Sequence, residues 1–421
     1  MQSDTQLRIA FDGGRGRLFW LILTTMTLTI LTVGIYRFWM RARTRRYYWS
    51  SIKIGGLPLE YSGTGLEKLF GFLIAVIFLA VYLGLLQIGI MFAGFSNPVW
   101  SQEQSLLVFV VVLPLIFFAR YRARRYILSR TRWRGIRFNA EAAGLHYMLH
   151  GMWHSLITLL SLGLLYPRQV YMLDKFATDR STYGDLPLSM EGRWMSLMGP
   201  WFAVWICAVP ALLVLGWFSY TEQALGGAPP PDSLATAGLV ALLLPVAGLL
   251  FLRWQVVSFR VLTSMKRIGD RVTLKSSARS VRYILAIVLG TLGTYVLAIL
   301  VFVVLAAATM AGLLAASPEL RDLAADSGAL ADLMTGPGQE VRLAEMGGWM
   351  AGVSFGALFV LTAAVIVAVY EVLVSRVIFA HFARTIVIFD ADELDAVQQS
   401  AQDASREAGG FADALDVGAA I

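Results

Sequence analysis

Three histidines lie at four-residue intervals in one apolar stretch, and their spacing best fits a chemical role. They are His146, His150 and His154, out of four histidines in the chain. In a helix, four-residue steps keep the three imidazoles on one face, within about 80° of each other. Imidazole binds zinc, copper, iron and haem, so this face is a candidate metal site. Two other interpretations stay open: an amphipathic helix at a headgroup boundary, beside Tyr147 and Trp153, and a proton relay.

Eight arginines in two stretches form a second candidate site, which would bind the headgroups of anionic lipids. Both stretches combine arginine with tyrosine, and an arginine near an acidic leaflet contributes about 1 kcal/mol of attraction. The alternative is topological, because cytoplasmic segments of membrane proteins are rich in arginine and lysine. No nucleic-acid-binding module is recognisable, so nucleic acid is not an expected partner. The eight residues are Arg41, Arg43, Arg45, Arg46, Arg120, Arg122, Arg124 and Arg125.

The sequence contains no recognisable catalytic motif. It has no G-x-S-x-G, no H-E-x-x-H and no pair of carboxylates within an apolar stretch. Gly13, Gly14 and Gly16 are not followed by the lysine of a phosphate-binding loop. The single cysteine, Cys207, excludes a disulfide within one chain. No catalytic or cofactor-binding residues are therefore predicted, and an enzyme is disfavoured.

Long apolar helices must position these residues. Hydrophobic residues make up 57% of the chain and charged residues 15%, whereas soluble domains carry about 25% charge. A helix needs about 20 apolar residues to cross a bilayer. We predict six transmembrane helices, paired into three hairpins at about residues 69–119, 197–252 and 283–374.

Two parts of the chain repeat each other in a fixed register. A shift of 129 residues places Gly34 on Gly163 and Gly63 on Gly192. Self-similarity at a fixed spacing indicates a repeated structural unit. The two copies cover about residues 8–63 and 136–192.

The domain organisation follows from this repeat and from composition. We predict a single repeat-built membrane domain over residues 1–390. The remaining residues, 391–421, are acidic and contain one aromatic residue, so we predict a disordered C-terminal tail.

The apolar segments Leu18–Tyr36 and Leu145–Tyr166 decide the topology. If both crossed the membrane, an arginine-rich loop would face outside. If both enter and leave on one side, as re-entrant or in-plane helices, 33 of the 35 lysines and arginines share one face, and only Arg321 and Arg342 do not. The positive-inside rule favours the second arrangement, with both termini in the cytoplasm. The predicted external loops are then residues 93–104, 219–233 and 316–348.

Five short motifs carry a family resemblance: Phe11-Asp12-Gly13, Leu31-Thr32-Val33-Gly34-Ile35-Tyr36, Arg45-Arg46-Tyr47, Ile54-Gly55-Gly56 and Trp133-Arg134-Gly135-Ile136-Arg137-Phe138. With these motifs the chain resembles the YjgN-like family of bacterial inner-membrane proteins, over about residues 8–380. Family members usually have Pro-Trp after Gly-Ile-Tyr, whereas this chain has Phe38-Trp39 in the first copy and Tyr166-Pro167 in the second. The resemblance implies a location in the bacterial inner (cytoplasmic) membrane and a fold, but no activity.

Together these observations predict an all-α polytopic membrane protein. It has six transmembrane helices as three hairpins, two re-entrant or in-plane segments, and short cytoplasmic β-strands. The expected role is non-enzymatic, either passage or organisation of a small or lipid-like solute or membrane scaffolding, with the lipid bilayer as partner. The alternative is a metal- or haem-dependent membrane enzyme or assembly factor that uses His146, His150 and His154.

Overall fold

Ten short β-strands form one closed antiparallel barrel. A computed structural model describes residues 6–96, 104–224, 233–316 and 348–399. The strands are β1 (Leu7–Phe11), β2 (Ile52–Ile54), β3 (Leu57–Tyr61), β4 (Thr131–Trp133), β5 (Ile136–Ala140), β6 (Ser181–Tyr183), β7 (Leu186–Met190), β8 (Lys266–Ile268), β9 (Val272–Ser276) and β10 (Ile386–Phe389).

The helices connect these strands in pairs. The α-helices are α1 (Arg15–Leu31), α2 (Arg37–Ser51), α3 (Gly65–Ser96), α4 (Gln104–Ser129), α5 (Gly144–Leu160), α6 (Tyr166–Thr178), α7 (Met198–Ala224), α8 (Ser233–Ser264), α9 (Ser280–Ala316), α10 (Gly348–Tyr370) and α11 (Arg376–Thr385). A 3₁₀ turn (Trp194–Leu197) precedes α7, a π-helical turn (Glu371–Ser375) separates α10 from α11, and a second 3₁₀ turn (Ala391–Asp395) follows β10.

The strand ends that lead into or out of helices all lie at the same end of the barrel. In four hairpins (β2–β3, β4–β5, β6–β7 and β8–β9), a three-residue strand follows a helix, and after a tight turn a five-residue strand leads into the next helix. Because neighbouring strands are antiparallel, the four turns lie at one end of the barrel, the turn end, and the helix connections lie at the other, the helix end. The ring closes where β1 pairs with β10, through Leu7↔Ile388 and Arg8↔Val387.

Left-handed backbone conformations make the tight turns. Gly55 and Gly56 have φ of 57° and 84° between β2 and β3, and Arg134 and Gly135 have φ of 53° and 79° between β4 and β5. Two consecutive residues with positive φ define the type I′ turn, whose twist matches that of paired strands. Glycine suits these positions because it lacks a Cβ.

Two helix–helix turns have the same backbone geometry. Val33 and Gly34 join α1 to α2 with φ of 50° and 90°, and Leu162 and Gly163 join α5 to α6 with φ of 51° and 82°. The amides of both glycines donate to the carbonyl oxygen five residues earlier, at 2.7 Å. These are the positions that the 129-residue register pairs.

The chain divides into two compact units. The first comprises residues 1–13, 45–284 and 379–421 and contains the whole barrel, and the second comprises residues 14–44 and 285–378. In the first unit α7 packs along α8, and α5 packs against α4 and α6. In the second unit α1 packs along α10.

Five helical segments of the described residues are long and apolar enough to cross a membrane. Their surfaces are largely exposed, as expected for side chains that face lipid. The segments are Gly65–Phe92, Trp194–Thr221, Leu234–Ser264, Ser280–Gly312 and Gly356–Thr385.

The predicted fold class, an all-α protein with six transmembrane helices, is wrong. The strands form a closed barrel, and the described residues contain five candidate spans rather than six. The sequence indicates only separate short strands, whereas backbone pairing joins all ten into one ring. Neither segment predicted to be re-entrant is among the five candidates. The predicted external loops fall mainly on residues 97–103, 225–232 and 317–347, outside the described residues.

Replacing Gly135 with alanine should destabilise the protein by about 1 kcal/mol, because its φ of 79° strains any residue with a Cβ. No atom lies within 4 Å of the added methyl group, so only backbone strain contributes. Gly216→Ala in α7 is the matched control, since that position is equally open but helical, where alanine is favoured. Thermal unfolding in one detergent measures both variants. Equal losses would contradict this account of the turn.

Candidate functional site

Apolar side chains fill the barrel near its turn end. Strand residues alternate between the two faces of a sheet, and the inward residues form one buried cluster around Trp133, Tyr183, Val272 and Ile388. The rings of Trp133 and Tyr183 are 5.7 Å apart, and the Tyr183 hydroxyl donates to the Trp133 carbonyl oxygen at 3.1 Å. Burial raises the pKa of Tyr183 to about 12, so this hydroxyl remains a donor at neutral pH. The described interior is therefore a packed core.

The outward strand positions carry mainly positive charge. Lys53 pairs with Asp12 at 2.7 Å and Arg267 with Glu191 at 3.2 Å. The hydrogen bond from Lys53 lowers the pKa of Asp12. Both pairs are largely exposed, and such pairs contribute little stability. The basic residues at alternate outward positions are Arg8, Lys53, Arg132, Arg137, Arg267 and Lys275.

One carboxylate connects three elements at the helix end. Asp174 of α6 pairs with Arg124 of α4 at 3.3 Å and with Lys266 of β8 at 2.8 Å. Burial opposes ionisation of Asp174, but Lys266 and Arg124 outweigh it and lower its pKa. Removing one partner of such a network leaves the others uncompensated, at a cost of about 3–5 kcal/mol when the groups are buried. Arg124 therefore has a structural partner in the folded protein.

A second junction anchors the start of α3. The Glu67 carboxylate accepts a hydrogen bond from the Tyr126 hydroxyl at 3.0 Å and pairs with Arg130 at 3.1 Å. Lys68 is completely buried beside Glu67, with its Nζ 5.5 Å from the centre of the Tyr61 ring. This junction ties the first turn of a candidate span to the end of α4.

The eight predicted headgroup arginines fall into different environments. Arg125 donates from Nε to the Ala140 carbonyl oxygen at 3.0 Å. Arg45 lies over the rings of Trp49 and Tyr61. Arg122 lies over Phe118. These contacts bind the side chains to neighbouring parts of the protein.

Only three of the eight are exposed. Arg46 is one of them, and it makes a long hydrogen bond of 3.4 Å to the Gly63 carbonyl oxygen. Arg43 lies 5.6 Å from the centre of the Tyr36 ring, and Arg120 is exposed at the end of the apolar part of α4. Arg41 is half-buried. The exposed members of the predicted set are therefore Arg43, Arg46 and Arg120.

The three histidines lie on one helix, α5, as their spacing predicts. His146 and His150 are exposed, whereas His154 is buried. The His150 and His154 rings are 5.8 Å apart between centroids. Arg168 of α6 approaches Nδ1 of His154 at 3.0 Å, and because a guanidinium group only donates, Nδ1 accepts and Nε2 carries the proton.

The surroundings of His154 oppose protonation of its imidazole. Burial, Arg168 and His150 lower the pKa of His154 to about 4. The part of the chain that the structure describes holds no group of three histidine, cysteine or carboxylate side chains that could bind a metal ion. The metal interpretation of His146, His150 and His154 therefore rests on their spacing in the sequence alone.

Sequence reasoning did not identify Asp174, Lys266 or Glu67. Asp174 and Lys266 are distant in sequence and meet only because α6 and β8 are adjacent at the barrel. Glu67 and Lys68 could have been identified from the sequence, because two charged residues stand immediately before a long apolar stretch.

The fold and charge pattern define a membrane protein that carries a small β-barrel, and the family follows from comparison. The family described as "Bacterial protein of unknown function (DUF898)" matches residues 6–296, so the chain belongs to this family. No solved structure matches the chain significantly.

Two curated relatives confirm the YjgN-like resemblance, and both are called "Inner membrane protein YjgN". The protein of Salmonella typhimurium (strain LT2) is 25% identical over 135 residues, which is 32% of this chain and 31% of the relative. The protein of Escherichia coli O157:H7 is 27% identical over 143 residues, which is 34% of this chain and 32% of the relative. The chain thus spans about a third of the length of the curated relatives it matches.

Replacing His154 with glutamine should make the stability of the folded protein less dependent on pH under acidic conditions. Because the pKa of His154 is about 4 in the folded protein and about 6.5 when unfolded, the unfolded chain binds more protons between these values. Stability should therefore fall as the pH decreases from about 6.5 to 4, and the variant should lose this dependence. Unfolding midpoints across this range measure it. His146→Gln, at an exposed position, is the control and should keep the wild-type profile.

Proposed function

We propose that this protein is a non-enzymatic membrane scaffold that organises anionic lipids around a cytoplasmic barrel. The observation that carries the proposal is the helix end of the barrel, where all ten strands connect to helical segments. Exposed arginines stand on two of those helices, α2 and α4. The names of the curated relatives support a location in the inner membrane.

The chain connections support a topology in which both termini lie on the side of the barrel. Every helical excursion begins at one barrel strand and ends at another, so it starts and finishes in the same compartment. β1 and β10 are the first and last strands and pair with each other. The basic outer face of the barrel supports a cytoplasmic location for this compartment, because cytoplasmic segments of membrane proteins are rich in arginine and lysine.

Binding of anionic lipid depends on exposed positive charge on the helices. Arg43 is exposed next to an aromatic ring, and Arg120 is exposed where α4 changes from apolar to basic. Arginine binds phosphate with two parallel hydrogen bonds. Arg125 contacts protein groups instead, so it contributes to stability and not to lipid binding.

Cysteine labelling tests the topology. In a Cys207→Ser background, single cysteines replace Arg8, Glu60 or Lys275, which are exposed on three strands of the barrel. A membrane-impermeant maleimide should label all three only after the cells are permeabilised, because one barrel cannot occupy two compartments. Labelling of any of them in intact cells would refute the cytoplasmic assignment.

Lipid retention tests the scaffold proposal. The double variant Arg43→Gln/Arg120→Gln should retain less phosphatidylglycerol after purification in mild detergent, by up to about 30-fold if each arginine contributes about 1 kcal/mol. Bound zwitterionic lipid should not change. Quantitative mass spectrometry of the lipids measures both.

The control removes the same charge elsewhere. Arg8→Gln/Lys275→Gln changes two exposed barrel residues and should leave bound phosphatidylglycerol unchanged. An equal loss in both double variants would mean that net charge alone attracts the lipid, and it would refute a site at the helices. Arg125→Gln should lower the unfolding midpoint instead.

A further inference from the structure

The chain turns back across the barrel after its last strand. Asp390 adopts a left-handed conformation, with φ of 54°, and the 3₁₀ turn of Ala391–Asp395 follows. Residues 391–399 then lie over the turn end of the barrel, where they contact three of the four hairpin turns. We name this segment the plug.

Three side chains of the plug enter the apolar core. Ala391 and Leu394 are each 2% exposed and Val397 is 9% exposed, and all three belong to the same buried cluster as Trp133 and Tyr183. Ala391 and Leu394 are one 3₁₀ repeat apart and therefore share one face of the turn, and Val397 follows after the turn ends. A ten-stranded barrel is wider than the eight-stranded barrels that strand side chains alone can fill. The plug supplies part of the missing volume.

Polar groups fix the register of the plug. The Glu393 carboxylate accepts hydrogen bonds from the backbone amides of Asp270 and Arg271, at 3.3 and 3.0 Å. The Asp395 carboxylate forms an ion pair with Arg134. The acidic residues on the two sides of Leu394 thus contact two different hairpin turns.

The end of the plug pairs with the β6–β7 turn. The Asp185 amide donates to the Gln398 carbonyl oxygen at 3.0 Å, and the Gln398 amide donates to the Asp185 carboxylate at 3.1 Å. Gln399 accepts from the Arg137 amide at 2.8 Å. At Gly184 the plug backbone is so close that a Cβ would collide with the Gln398 carbonyl oxygen.

We propose that the turn end of the barrel is a peptide-binding site, and that residues 391–399 of the same chain are its resident, displaceable ligand. The ligand class is a short acidic peptide with apolar side chains at three-residue intervals. Displacement requires no strand to separate, because the polar contacts described above are made to turns or to strand ends. The plug follows the last strand directly at Asp390 and is not itself a strand of the ring, so it can leave while the ring remains closed.

Cross-linking in the full-length protein measures occupancy of the site. In a Cys207→Ser background, Arg134→Cys and Asp395→Cys replace the ion pair, and dibromobimane fluoresces when it joins two nearby thiols. We expect an intramolecular product in the parent. Gly184→Ala and Leu394→Asp should each reduce its yield at least several-fold.

A matched glycine separates plug displacement from turn strain. Gly56→Ala introduces the same type of strain, at φ of 84°, in a turn where no atom lies within 4 Å of the added methyl group. Its cross-linking yield should equal that of the parent. An equal loss in Gly56→Ala and Gly184→Ala would overturn the assignment of Gly184 to the plug site, and a product that joins two copies of the chain would overturn the intramolecular assignment.

A synthetic peptide tests displaceability. A fluorescent peptide with the sequence of residues 390–399 should bind the full-length Leu394→Asp protein and bind the wild-type protein at least tenfold more weakly, because the wild-type plug competes. The same peptide with aspartate in place of leucine should not bind. If Leu394→Asp fails to fold, Glu393→Ala replaces it, since it removes a surface carboxylate and no core side chain. Absence of peptide binding to a folded variant would refute a displaceable ligand.

Discussion

Backbone hydrogen bonding around a closed ring is the constraint on which the rest of the structure depends. No strand of the barrel exceeds five residues, and an isolated hairpin of this size is marginal in water. An open sheet would also leave two edges of unpaired amide and carbonyl groups. Closure removes both edges, and it does so by pairing β1 with β10. Because each strand is joined to a helical segment at the same end of the ring, closure also gathers these connections at that end.

The charges near the helix end have two distinct uses. Arg124 and Arg125 contact a carboxylate and a carbonyl group of neighbouring elements, and the energy of such partly buried contacts stabilises the junction between helix and barrel. Arg43 and Arg120 are exposed, and the field of an exposed cation acts on the solvent and on lipid within about 8 Å at physiological ionic strength. Arginines of the same short stretch thus contact protein groups at one position and are exposed at another. Composition alone cannot separate these uses, because the separation depends on neighbours that come from other elements.

The sequence predicted the features that depend on local signals. A stretch of about 20 apolar residues is visible in any window of that size, and the apolar spans, the basic excess and the shared helix of the three histidines were all recognised in this way. The barrel was not predicted, because three-residue strands carry almost no periodic signal and the partner of Arg8 is Val387, nearly the whole described chain away. The contacts of the candidate sites could not be predicted for the same reason. Arg168, which contacts Nδ1 of His154, lies on the following helix, and the partners of Asp174 come from α4 and β8.

The plug can be understood as a consequence of how the ring closes. In the four continuous hairpins, the residue after the first strand has positive φ, as Gly55, Arg134, Gly184 and Gly269 show. Asp390 after β10 has the same conformation, with φ of 54°, so the chain begins the same turn at the fifth position of the ring. Instead of continuing into a neighbouring strand, it leads into residues 391–399, because β1 already occupies the adjacent position in the sheet. A segment that starts at this point is directed over the turn end, where the barrel interior would otherwise expose apolar surface to water. Burial of that surface favours the plug, and two of the three turn contacts are made by its acidic side chains, Glu393 and Asp395.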